Sequence, residues 1–157
     1  MGLLRWAVMR PRVDGYRCES VVRSPEAGAE WLLGSHRADT PSEAMRWLRR
    51  QAVRLVRALD PEPGACPFPA GALHPADPGA SHVGSVFRDW LDDIAHQEVQ
   101  REALASGRYV CATAGMPDQV VGSGAAYLYV SLSCRPLVTR RLGGVGRKGP
   151  HQGEVPP

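Results

Sequence analysis

Hydrophobic and polar positions alternate in three stretches at the start of the chain. Leu3, Leu4, Trp6 and Val8 predict a strand over residues 3–10. Tyr16 to Val22 predicts a second, with Tyr16, Cys18 and Val22 on one face. Ser24-Pro25-Glu26-Ala27-Gly28 has turn chemistry, and Glu30 to Ser35 around Trp31-Leu32-Leu33 predicts a third. The three together predict an antiparallel meander.

The period then changes. Thr40 is a natural N-cap, Pro41 suits the first helical position and Glu43 completes a capping box. Ala44, Met45, Trp47, Leu48, Ala52, Leu55, Val56 and Leu59 fall on one side of the wheel. Arg46, Arg49, Arg50, Arg54 and Arg57 fall on the other. Asp60-Pro61 ends the helix, because a residue before proline avoids the α region. Residues 61–84 lose all periodicity and carry prolines at 61, 63, 67, 69, 75 and 78. Such a length without pattern predicts a long loop, which in a compact domain is either functional or mobile.

A second helix is predicted over Ser85 to Ser106, with Gly107 as its stop. Val86, Phe87, Trp90, Leu91 and Ile94 share a face; the pattern rotates at Val99 and Ala103, which predicts a bend or loosened last turns. Arg108 to Ala114 predicts a strand, Gly115-Met116-Pro117-Asp118 a turn, and Ala125 to Ser133 the best-patterned strand of the chain. The expected fold is therefore α+β: an antiparallel sheet of about five strands with two amphipathic helices packed on one face. Its core should join Trp6, Val8, Trp31, Leu33, Val110, Leu128, Val130 and Leu132 to Trp47, Leu48, Leu55, Phe87, Trp90 and Ile94. One domain, 1–137, precedes a basic tail, 138–157, whose Gly, Arg and Pro content predicts disorder.

Charge changes the picture in one respect. The net charge is +3, and from Arg135 onward five basic residues stand against Glu154 alone. The rest of the chain is therefore close to neutral, unlike a nucleic-acid-binding domain with a basic folded face. Lys148 is the only lysine and asparagine is absent, a bias of GC-rich coding. It weakens any case that arginine was selected over lysine for phosphate. The second helix is acidic, with Asp89, Asp92, Asp93, Glu98 and Glu102. If the two charged faces adjoin, they pair with each other, and neither then needs an external partner.

Candidate chemistry is sparse. Asp92 and His96 are four apart near Asp89, a spacing that can hold a divalent metal on one helix face. Cys66, His74, Asp77 and His82 offer zinc donors in the long loop, but without the tight pairs of structural sites. A solvated helix face and a loop with incidental polar residues account for both sets. Cys111 reads as a small buried apolar residue rather than a nucleophile. Gly122-Ser123-Gly124 lacks the strand–helix setting of a nucleophile elbow. Residues 143–149 lack the Ser or Thr and the helix of a phosphate loop.

What remains is the arginine strip. It can track phosphates or grip an acidic protein surface, although no aromatic interleaves on that face to stack single-stranded bases. The leading expectation is a non-catalytic binding or regulatory protein using Arg46, Arg49, Arg50, Arg54 and Arg57 on an acidic protein or a nucleic acid. The alternative is a small metal-dependent enzyme built from His74, His82, Asp92 and His96. No cofactor is implied. No apolar run is long enough for a membrane span and no secretion signal is evident. The four cysteines form no C-x-x-C pair. A cytoplasmic protein with reduced thiols follows as the expectation. A homodimer is also expected if the Ala125–Ser133 strand lies at a sheet edge.

Overall fold

The computed structural model of the protein describes residues 13–61, 82–119 and 125–138. In chain order these form β1 (Val13–Ser24), β2 (Ala29–Ala38), α1 (Pro41–Leu59), α2 (Val83–Asp92), α3 (Ile94–Ala105), β3 (Val110–Gln119) and β4 (Ala125–Val138). The sheet is antiparallel throughout, in the order β2-β1-β4-β3. Two sequence-local pairs, β1–β2 and β3–β4, thus meet along the β1–β4 seam. The three helices connect them across one face. This is the α+β arrangement expected, with four described strands and with three helices in place of two.

The period-2 alternation explains the burial. Tyr16, Cys18 and Ser20 of β1 lie opposite or beside Leu132 and Cys134 of β4, and all are buried under the helices. Val110, Ala114 and Val130 complete the sheet's contribution to a core with Trp47, Leu48, Ala52, Phe87, Trp90 and Leu104. Phe87 and Leu48 are among its largest fully buried side chains. The Pro25–Gly28 turn closes through Gly28 N–H to the Pro25 carbonyl at 3.1 Å, with Gly28 at φ 60°, a conformation glycine adopts without Cβ strain. Gly107, at φ 81°, stops α3 in the same way.

Several expectations change. The predicted strand at 3–10 lies outside the described residues; among those, the neighbours of β1 are β2 and β4. Trp31 and Leu33 are 49% and 53% exposed, not core. β2 is an edge strand, and a register shift between Ser20 and Val21 leaves Leu33 without a partner. That bulge breaks the alternation on which the core assignment rested. Residues 115–118 belong to β3 rather than to a turn. β3 is the other edge strand, where a proline's missing N–H costs no internal ladder bond. Gly115 is needed there for another reason: a Cβ would come within 3.1 Å of the Tyr129 ring, its partner across the ladder.

Cys111 is exposed, not buried. The Ala125–Ser133 strand lies within β4; residues 129–133 pair with both β1 and β3, while 125–128 pair with β3 alone. The long loop ends two residues earlier than predicted, since α2 begins at Val83. The expected tail beyond Val138 and residues 62–81 lie outside the described residues.

Candidate functional site

α1 matches its prediction closely at both ends. Thr40 Oγ1 accepts from Glu43 N–H at 3.1 Å, Pro41 opens the helix, and Asp60 closes it with its N–H on the Val56 carbonyl at 2.8 Å. The Glu43 carboxylate does not return to Thr40 as a reciprocal capping box would. It accepts instead from Asp39 N–H at 3.0 Å and lies 3.2 Å from His36 Nε2. The Asp39 hydrogen bond, followed by the one with His36, holds the Glu43 carboxyl below the usual carboxylate range. His36 in turn stacks on Trp47, tying the start of α1 to β2.

The arginine strip divides in two. Arg49 is half-buried and turned inward, donating to Gln97 Oε1 and to the Leu91 carbonyl. Arg46, Arg50, Arg54 and Arg57 are exposed. None of these four has a carboxylate at ion-pair distance among the described residues; Arg46 feels Glu43 only at longer range. Their spacing runs them along one side of α1 for about 16 Å at a 1.5 Å rise per residue. With Arg49 and Val53 they line a shallow depression of about 490 Å³. A second depression of about 470 Å³ continues between α1 and α2, lined by Val53, Val56, Arg57, Asp60, Pro61, Arg88 and Leu91. Val53 and Arg57 belong to both.

The pairing of the basic helix with the acidic segment takes an unexpected form. Among the described residues, the ion pair that joins the end of α1 to α2 runs from Asp60, the cap of the basic helix, to Arg88 of the acidic one. Gly84 sits against Asp60 so closely that a Cβ would collide with it, which sets how near the two helices approach.

The acidic segment is not a single helix. It breaks at Asp93, whose side chain accepts from His96 N–H at 2.9 Å and so caps α3. The break leaves the last carbonyls of α2 without helical partners. Gln97 supplies them: its Nε2 donates to the Trp90 carbonyl at 2.6 Å and to the Leu91 carbonyl at 3.1 Å. Gln100 Oε1 accepts from the Trp90 indole at 3.0 Å. Arg49, Gln97, Gln100 and Trp90 are thus a polar node at the junction of all three helices. Glu98 is held by Arg101 one turn on, which lowers its carboxyl from the ordinary range. Ile94, expected in the core, is 59% exposed because the break turns α3 away from the phase of α2.

Of the alternative metal set, His82, Asp92 and His96 are among the described residues. Asp92 ends α2 and His96 lies in α3, on opposite sides of the break. His82 caps α2, its Nδ1 accepting from Ser85 N–H at 3.2 Å. His74 lies outside the described residues, as do Cys66, Asp77, Gly122-Ser123-Gly124 and residues 143–149. Among the described residues no group of three or more His, Cys, Asp or Glu side chains converges. No described helix is long and apolar enough to cross a membrane.

Sequence reasoning missed Val53, Val56, Arg88 and Leu91 as lining residues. Val53 carried a readable signal. It is an apolar residue three positions after Arg50 and four before Arg57, inside the charged face. Arg88 and Leu91 carried none, because only packing of α2 against α1 brings them there. The chain matches no protein-family model, no curated protein and no solved structure.

Proposed function

We propose that the protein is a non-catalytic binding module whose outer α1 face receives an acidic segment of a partner protein. The observation that carries this reading is the row Arg46, Arg50, Arg54 and Arg57, exposed and without ion-pair partners among the described residues. Like charges three and four residues apart on a helix cost roughly 0.2–0.5 kcal/mol per pair. An anionic partner removes that repulsion and gains charge-assisted hydrogen bonds from the guanidinium groups.

The floor of the groove favours protein over nucleic acid. Val53, Val56 and Leu91 offer an apolar strip beside the arginines. An amphipathic acidic helix places carboxylates on the arginines and aliphatic side chains on that strip. A phosphate backbone has nothing to bury there.

The test uses a synthetic helical peptide with Glu and Leu at i, i+3 and i+4 spacing, beside a DNA duplex of similar length. The peptide should bind with strong salt dependence. Reversing Arg50 and Arg54 to Glu should abolish binding while leaving the melting curve in place. Binding of the duplex alone would transfer the surface to nucleic acid. Peptide binding that survives the charge reversal would refute the assignment of the face.

A further inference from the structure

We propose that Cys18 and Cys134 form an oxidation site, a buried thiol pair that a small hydroperoxide converts to a disulfide joining β1 to β4. The two residues are direct partners in the β1–β4 register and both face the helices. Their Sγ atoms are 3.2 Å apart and both side chains are fully buried. Facing residues of antiparallel strands have Cα atoms about 4.5–5.5 Å apart. That lies inside the roughly 4.4–6.8 Å range a disulfide spans, so closure asks for sulfur movement and not for strand movement. Cys111, in contrast, is exposed, and its Sγ lies 3.1 Å from Thr113 Oγ1 rather than beside a thiol.

The pair is chemically asymmetric. The hydrogen bond with Cys134 draws the Cys18 thiol below its ordinary range, against the opposing effect of burial. The same bond, followed by burial, pushes the Cys134 thiol well up. In the proposed reaction Cys18 therefore attacks as the thiolate and Cys134 keeps the shared proton.

The Cys18 thiolate attacks one peroxide oxygen, the O–O bond breaks, and the departing hydroxide takes a proton and leaves as water. Cys18 is then a sulfenic acid. Cys134 gives up its proton as its sulfur attacks the Cys18 sulfur; the S–O bond breaks and a second water leaves. Two thiols and one hydrogen peroxide become one disulfide and two waters. Full burial restricts the reaction to an oxidant of water-like size, admitted as the core opens.

The test leaves both paired cysteines in place. The full chain with Cys66→Ser and Cys111→Ser keeps only this pair. It is treated with hydrogen peroxide, quenched, unfolded in N-ethylmaleimide and weighed. The expected product has lost two hydrogens and takes up no maleimide. Its tryptic peptides containing Cys18 and Cys134 are linked, and dithiothreitol restores both thiols. Uptake of two maleimides after peroxide overturns the proposal. So does oxidation to sulfinic or sulfonic acid without a link, or a link between two chains.

Discussion

α1 and the α2–α3 segment are built from similar material and use it in opposite ways. Each has an apolar face on the core and a run of charge outside it. α1 is unbroken for 19 residues and leaves four arginines on its outer side. The α2–α3 segment breaks once; Asp93 caps the new helix start from the surface, and Gln97 turns inward to the stranded carbonyls. A continuous helix satisfies its own interior backbone and leaves its polar face free for other uses. A broken helix must recruit side chains to its new ends.

That contrast is tested most severely at Gln97. Replacing it with Ala strands the Trp90 and Leu91 carbonyls and removes an acceptor from Arg49. The expected cost is about 2–3 kcal/mol, read from urea unfolding. A change below the measurement error would mean that the break is not held by this side chain.

The two caps come next. Thr40→Ala and Asp93→Ala each remove one N-cap acceptor and should each cost about 1 kcal/mol. A much smaller cost at Asp93, with helicity by circular dichroism rising, would show the two segments fusing into one straight helix and would erase the difference between the regions.

A pH effect probes the start of α1. Because the Glu43 carboxyl is held below its ordinary range, its contribution to stability is present above the unfolded carboxylate pKa. It is lost as pH falls through the folded value. The melting-temperature gap between the wild type and Glu43→Gln should therefore be constant at neutral pH and shrink in acid. A gap independent of pH would remove the Asp39 and His36 contacts as its cause.

The smallest effect is expected on the open face. Arg54→Ala should change stability by no more than about 0.5 kcal/mol, while Arg49→Ala should cost more, since Arg49 donates into the node. Equal costs for the two would mean that the strip is uniform, and that the structural division between an inward and an outward arginine has no energetic content.

How much could be read from residue order alone follows the range of the interactions. Thr40, Pro41 and Asp60 bound α1 through contacts within four residues, so its limits and its charged face were legible. Pro25–Gly28 and Gly107 were legible for the same reason. The burial of Val110, Val130, Leu132, Phe87 and Trp90 followed from periodicity.

Other features depend on partners far along the chain. Strand order decides that β1 lies between β2 and β4, and that Trp31 and Leu33 sit on an exposed edge beyond a bulge. Helix packing decides that Arg49 turns inward to Gln97, and that Arg88 and Leu91 join α1's groove. It also puts Asp60 on Arg88, inverting the pairing that the charge runs suggested. A run of like charge records which side of a helix avoids the core. Which of its members meets a partner is set by the neighbour packed against it, and that neighbour is 28 residues away for Asp60 and 48 for Arg49.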